Sequence, residues 1–360
     1  MIPLFNKYPL LKQKLPYTAL GEHPTPAQEL KSLGKTIGIN RLFVKRDDII
    51  NKVYGGNKVR KLEFILGKAL NLKKDVLTYG SIGSNHVLAT AIFSQQMGLK
   101  CISILIPQSN KINARPKLLL YHLFGSELHL YPVKNRYLAE IISVYQILKH
   151  KFKHGNSPLV VPFGGSSPLG TLGYVNAAFE LANQIKRGII PEPDFIYVPM
   201  GSMGTAAGLV LGIKATGLKT KVVPVRIIER KYSNERKLKR LLRKTNILLN
   251  SLDPSFPMFD ILNEDISVRH NSPQTGSIDW FRDISKELSI KKDANGIQLK
   301  TTYMNRTIAV LIEDVRNKIL ENKVILLWNT NNSRDYTKYI EDINLSDLPR
   351  QLHHFFPNYQ

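Results

Sequence analysis

Short apolar runs rich in β-branched side chains alternate along this chain with stretches whose apolar positions recur at helical spacing. The strand-like runs fall at 41–46, 75–80, 101–107, 127–131, 159–163, 194–199, 222–228 and 324–328. Between them the spacing predicts helices over 58–71, 87–97, 114–124, 139–151, 170–186, 205–215 and 308–317. The first of these takes its apolar side from Val59, Leu62, Phe64, Ile65 and Leu66, and the second stops at Gly98. Alternation of this kind predicts an α/β fold of open parallel sheets with helices on both faces. No segment repeats at a fixed period, which excludes solenoids and propellers. The stretch 249–279 is broken by Pro254, Pro257, Asn271 and Pro273 and predicts a long irregular loop, and the residues after Asp342 read as a surface extension.

The length of 360 residues, with 43% hydrophobic and 22% charged side chains, suits a globular protein of about two domains. Cys101 is the single cysteine and opens an apolar run, so it is expected as a buried strand residue with no intramolecular disulfide. The segment 1–8 is interrupted by Pro3 and Lys7, and no stretch approaches the roughly 20 apolar residues of a membrane span. These features lead to the expectation of a cytoplasmic protein without membrane association. The formal charge is +23, from 51 Lys and Arg against 28 Asp and Glu. That excess favours anionic partners, yet the cations are scattered and no nucleic-acid-binding signature accompanies them. No specific nucleic acid is expected; salt-dependent binding to polyanions remains an alternative. The densest basic run, 229–244, reads as a solvated helix.

Tyr54-Gly55-Gly56-Asn57-Lys58-Val59-Arg60-Lys61 carries the strongest chemical signal. A lysine held by a glycine pair at a helix entrance can form an imine with an aldehyde cofactor, provided burial keeps its amine neutral. A solvated Lys-Arg-Lys helix face is the competing reading. Gly201-Ser202-Met203-Gly204-Thr205 follows a strand directly and opens a helix, where turned backbone amides and the helix dipole favour a phosphate. The absence of a following Lys-Ser or Lys-Thr pair argues against a mononucleotide loop. The late position and incomplete glycine pattern argue against a dinucleotide fold. Ser81-Ile82-Gly83-Ser84-Asn85-His86 also joins a strand to a helix; its amides can hold a carboxylate, Ser84 can relay a proton and Asn85 can bond a ring hydroxyl. Helix capping by Ser84 and packing of His86 are the plainer alternatives. No residues at ligand spacing point to a metal.

An aldehyde anchor, a carboxylate cradle and a phosphate cradle together are what pyridoxal 5'-phosphate demands. From about Pro24 to Asn332 the chain resembles the pyridoxal-phosphate enzymes of the tryptophan-synthase-β fold type II, specifically the D-cysteine desulfhydrase and 1-aminocyclopropane-1-carboxylate deaminase group. The resemblance rests on Lys45-Arg46-Asp47-Asp48, Gly55-Gly56-Asn57-Lys58-Val59-Arg60-Lys61-Leu62-Glu63, Gly83-Ser84-Asn85-His86 and Gly164-Gly165-Ser166-Ser167-Pro168-Leu169-Gly170 with Gly173-Tyr174. It implies that Lys58 is the Schiff-base lysine, that Asn85 contacts the ring oxygen, and that Gly201, Ser202, Met203, Gly204 and Thr205 hold the phosphate. It implies further that Ser84 and Tyr303 are catalytic, that Ser84, Asn85 and His86 meet the substrate, and that Thr330 meets the pyridine nitrogen. The implied organisation is a large cofactor-binding domain of residues 1–60 and 166–342, an inserted α/β domain at 61–165 and an extension at 343–360, with the cofactor between the domains. The implied protein is a homodimer acting on a small amino acid, by β-elimination or by cyclopropane ring opening. The chain departs from the group in Asn329-Thr330-Asn331-Asn332, where His-Thr-Gly-Gly is usual, and in Met304-Asn305-Arg306 after Tyr303. It also lacks a second tyrosine in 269–276. These departures bear on specificity and turnover, and leave a cofactor-binding, catalytically diverged protein as a further alternative.

Overall fold

The computed structural model describes residues 2–107, 115–131, 136–270, 297, 302–341, 343–344 and 347–356. In chain order its strands are β1 (Ala27–Glu29), β2 (Arg41–Lys45), β3 (Val76–Ser81), β4 (Cys101–Ile106), β5 (Glu127–Leu130), β6 (Leu159–Val161), β7 (Phe195–Met200), β8 (Lys221–Arg226), β9 (Arg269–His270) and β10 (Val324–Trp328). The helices are α1 (Pro3–Lys7), α2 (Pro9–Lys14), α3 (Lys31–Ile37), α4 (Lys58–Asn71), α5 (Asn85–Gln96), α6 (Arg115–Leu123), α7 (Arg136–His154), α8 (Pro168–Lys186), α9 (Gly204–Thr216), α10 (Glu235–Leu252), α11 (Thr302–Arg316) and α12 (Thr337–Glu341). Among the described residues no helix is long and apolar enough to cross a membrane.

The chain forms two units. The first combines Met1–Leu15, Gly21–Lys61 and Ser166–Arg334 around a six-stranded sheet of order β1-β2-β10-β7-β8-β9. Every pairing in it is parallel except β1 with β2. β10 is buried along its whole length between β2 and β7, which is why its sequence is a continuous apolar run instead of an alternating one. One core cluster gathers Leu42, Val44, Tyr197, Val225, Ile325 and Leu327 from the sheet with Met304, Ile308 and Leu311 of α11. The helices α8 and α9 approach closely because a Cβ on Gly208 would lie 2.4 Å from the Tyr174 Cβ, and one on Gly212 2.5 Å from the Ala178 Cβ.

Beneath the start of α4 this unit buries two cations against two carboxylates. Arg60 donates to Asp47 Oδ1 at 2.8 Å and to Glu180 Oε2 at 2.9 Å, and Lys45 donates to Glu180 Oε1 at 2.6 Å. The Tyr174 hydroxyl and the Trp328 ring N–H both donate to Asp47 Oδ2 at 2.7 Å. Burial alone raises both carboxyls, but Arg60 outweighs it and holds Asp47 low; Arg60 with Lys45 holds Glu180 well below the usual carboxylate range.

The second unit, Pro16–Leu20, Leu62–Gly165 and Asp335–Gln360, holds a parallel four-stranded sheet of order β5-β4-β3-β6. Leu77, Tyr79, Ile102 and Ile104 form a core cluster, and Ile142 and Ile147 of α7 pack against it. Cys101 is buried on β4, as its apolar run requires. Leu348, Leu352 and Phe355 are buried as well.

Two helices start earlier than the pattern reading because their caps lie before the apolar residues. α5 starts at Asn85 under the side chain of Ser84, which accepts the Val87 N–H, and α8 starts at Pro168 under Ser167, which accepts the Gly170 N–H. The basic run is amphipathic and not wholly solvated: α10 buries Leu238, Leu242 and Leu249 on one face, a spacing masked in the sequence by the cations between them. The irregular stretch after Asn271 and most of the segment preceding Tyr303 lie outside the described residues.

Candidate active site

The loop before α4 is pressed against backbone on two sides. A Cβ on Gly55 would lie 1.7 Å from the Asp48 carbonyl oxygen, and Gly56 has φ +90° with the Asn331 and Thr330 carbonyl oxygens 2.5 and 2.7 Å from where a Cβ would stand. Only glycine fits either position without moving the chain. Each amide here has an acceptor. Gly55 donates to Asn332 Oδ1 at 2.7 Å, Gly56 to the Asp47 carbonyl at 2.7 Å and Asn57 to the Thr330 carbonyl at 3.2 Å. The segment after β10 therefore fixes the entrance of α4, and Ser333 and Arg334 extend that hold to Asp48, Ile49 and Asn51.

Lys58 opens α4. Its Nζ donates to Asn57 Oδ1 at 3.0 Å, and Asn57 Nδ2 donates to Thr205 Oγ1 at 2.9 Å on the first turn of α9. Burial lowers the Lys58 amine to about 8. At neutral pH roughly a tenth of it is then unprotonated, far more than for an ordinary lysine. The run Lys58, Arg60, Lys61 is thus no solvated face: Arg60 and Lys61 are buried, Arg60 in the carboxylate network and Lys61 toward α9.

At the mouth of α9 the chain turns through Met203, a non-glycine residue with φ +70° whose own side chain makes no capping hydrogen bond. Lys61 Nζ donates to Ser166 Oγ at 3.0 Å, Ser166 Oγ to Ser202 Oγ at 2.8 Å, and the Gly204 N–H to Ser166 Oγ at 3.1 Å. A Cβ on Gly204 would come within 2.6 Å of Ser166 Oγ and 3.1 Å of Lys61 Nζ, so the missing side chain is what lets these donors converge. Burial first, and the neighbouring Lys58 second, push the Lys61 amine well below the ordinary lysine value. Lys61 and Ser166 were not singled out by the sequence reading. The signal for Lys61 was its place one turn after Lys58 on the same helix face; for Ser166 it was the Gly-Gly pair before it.

The remaining residues sort differently. Gly201 and Ser202 lie in the β7–α9 loop with Met203, and Thr205 is buried on the first turn of α9. Thr330 is buried beyond the end of β10, with its carbonyl on Asn57. Tyr303 stands on the first turn of α11, 44% exposed, and no hydrogen bond among the described residues joins it to Lys58 or to the α9 loop. In the second unit Ser84 caps α5 and Asn85 is its first residue. His86 faces inward, with Nε2 3.1 Å from Thr78 Oγ1, the position of a packed histidine. The Asn332 amide oxygen accepts the Gly55 and Arg334 N–H groups.

The family model described as pyridoxal-phosphate dependent enzyme matches residues 18–246. The chain belongs to that family. Within this family its group is that of 1-aminocyclopropane-1-carboxylate deaminases and D-cysteine desulfhydrases, at about 30% identity over most of the chain. A Pyrococcus abyssi protein provisionally named 1-aminocyclopropane-1-carboxylate deaminase is 35% identical over 246 residues, 68% of this chain and 72% of that protein. The D-cysteine desulfhydrase of Serratia proteamaculans is 31% identical over 314 residues, 85% of this chain and 91% of its own. The crystal structure of a 1-aminocyclopropane-1-carboxylate deaminase homologue superposes with a TM-score of 0.75 at 28% identity, covering 96% of this chain and 99% of that one. A threonine deaminase of Solanum lycopersicum, 16% identical with a TM-score of 0.59 over 94% of this chain and 92% of its own, shares the fold.

The family's cofactor is pyridoxal phosphate, and the residues present fit it. Two hydroxyls, a buried lysine amine that an anion would help to protonate, and the first-turn amides of α9 make a donor set suited to a phosphate dianion. Lys58, an amine with a lowered pKa, stands near enough to Lys61 to depress it, and a partly neutral amine is what an aldehyde requires.

Proposed function

We propose that this family member is a lyase acting on a small amino acid, converting D-cysteine and water to pyruvate, ammonia and hydrogen sulfide. The observation that carries the reading is the Lys58–Asn57–Thr205 chain of hydrogen bonds, which ties a partly deprotonated amine to the first turn of the phosphate-suited helix. The named D-cysteine desulfhydrases among its relatives support the substrate class.

When bound, pyridoxal phosphate supplies an electron sink that acidifies the α-carbon of an attached amino acid. Lys58 would hold the cofactor through its aldehyde, and its amine, when free, would take the substrate's α-proton, a role suited to a base with a pKa of about 8. Lys61, Ser166, Ser202 and the Gly204 amide would hold the phosphate. Asn57 orients Lys58, and the loop from Gly55 is held by Thr330 and Asn332 so that the amine does not wander. Ser84 and Tyr303 are assigned the proton passed to the departing sulfur, and Ser84 with Asn85 the substrate carboxylate; His86 is assigned the support of β3. Thr330 is assigned the pyridine nitrogen, where a neutral hydroxyl tempers the sink.

Purified protein is expected to be yellow, to lose its visible band on borohydride treatment, and to release pyruvate and sulfide from D-cysteine. Lys58→Ala should lack both the band and the activity; a variant that keeps them sinks the assignment. The second reading, ring opening of 1-aminocyclopropane-1-carboxylate, is favoured by the names of the archaeal relatives. Ammonia and 2-oxobutanoate from that substrate, with D-cysteine inert, would decide for it.

A further inference from the structure

In the loop between β3 and α5 the carbonyl groups of Ile82, Gly83 and Ser84 all point to α6, and two side chains of that helix receive them. Tyr121 shares its hydroxyl proton between the Ile82 and Ser84 carbonyl oxygens, each 2.9 Å away, and Lys117 Nζ donates to the Gly83 carbonyl oxygen between them. Lys117 and Tyr121 stand one turn apart on α6, so one helix face reaches three successive peptides. The middle peptide is tied at its other end too, since the Ser84 N–H donates to the Ser81 carbonyl at 2.9 Å. In a trans peptide the N–H points opposite to the preceding C=O, so the outer two peptides aim the Gly83 and Asn85 amides away from α6. Asn85 opens α5, whose positive dipole end lies at the same loop.

Lys117 brings a charge as well as a hydrogen bond. Among the described residues no carboxylate pairs with it. Burial lowers its amine to about 8, which leaves it mostly a cation at neutral pH. A desolvated cation resting on a carbonyl oxygen is costly until an anion comes near. We infer that Lys117 is a positioning and specificity-determining residue: it holds the loop amides in their aim and supplies the positive charge that selects substrates bearing a free carboxylate. The inference rests on the proposed reading of this loop as the seat of the substrate carboxylate. Tyr121 shares the aiming and adds no charge, because burial raises its hydroxyl further from ionisation. A neutral donor holds an acid or its amide alike; a cation one peptide unit away, in a site partly screened from water, favours the anion about tenfold.

The test titrates the visible cofactor band of the full-length holoenzyme with alanine, in both enantiomers, and with ethylamine, which lacks the carboxylate. The wild type is expected to bind the better enantiomer of alanine more tightly than ethylamine. Lys117→Gln, which keeps a donor for the Gly83 carbonyl and removes the charge, should weaken alanine about tenfold and move ethylamine by less than about twofold. Lys117→Arg should restore the alanine affinity. If Lys117→Gln does not fold, Lys117→Met is titrated with the same expectation. Unchanged alanine affinity in the neutral variant, equal weakening of both probes, or a wild-type band that alanine does not shift overturns the inference. The titration needs no turnover, so a wild type that releases no sulfide from D-cysteine sinks the proposed reaction without altering this result.

Discussion

Lys58 shows how far position changes an amine. Burial moves it to about 8, so its neutral fraction grows as pH rises through that value and then levels off. The rate at which cofactor-free enzyme captures pyridoxal phosphate should therefore climb from pH 6 to 8 and flatten above about 9. A rate still climbing at pH 10 would mark an ordinary, solvated lysine. Lys61 is the complementary case, a cation made costly by burial and then by Lys58, a cost that a bound anion would relieve. Lys61→Met should loosen cofactor binding by about 10- to 100-fold, the worth of one charge-assisted hydrogen bond. Equilibrium dialysis of the cofactor against the variant measures it, and unaltered retention would remove Lys61 from the phosphate grip.

Between elements, what matters is which segments hold one another. The loop from Gly55 to Asn57 takes its acceptors from Asp47 and from Thr330 and Asn332, the last a side-chain oxygen. Asn332→Gly should leave the Gly55 amide without that acceptor and speed its hydrogen exchange roughly five- to tenfold. Apart from Arg334, whose N–H shares that acceptor, exchange elsewhere in the chain should be unaffected, and unchanged exchange at Gly55 would show that the bond contributes nothing. The elements themselves were largely legible. The extents of α4 and β10 follow directly from their patterns, and the glycine-bearing entrances of α4 and α9 announced themselves by residue type. The use of the first-turn cations was not legible, because Lys-Arg-Lys reads alike whether it meets water or buried carboxylates. Asp47 and Glu180 are 133 positions apart in sequence and share Arg60 only once the sheet is built. Likewise, nothing in the sequence shows that the Asn332 amide oxygen accepts the Gly55 N–H, 277 positions away.

For the molecule as a whole, the buried network of Lys45, Asp47, Arg60 and Glu180 balances two positive charges with two negative ones. Glu180→Gln would strand both cations against a single carboxylate and should destabilise the protein by about 3–5 kcal/mol, read by urea unfolding near neutral pH. Both carboxyls titrate below their ordinary values, so their contribution is fully present above the unfolded-state value near 4 and fades as acid lowers the pH through the folded values. The wild type should lose stability over that acidic range, and the variant should show a shallower decline. The sheet order adds a consequence for biosynthesis. β10 leaves the ribosome last of the strands in its sheet, yet it fills the gap between β2 and β7. Until it arrives those two strands have unsatisfied flanks, Asp47 lacks the Trp328 donor, and the lysine loop lacks Thr330 and Asn332. The nascent polypeptide therefore passes through a stage in which Lys58 and the α9 loop have been synthesised while the sheet beside them is still open between β2 and β7. In the cell, that interval is when it most needs a chaperone.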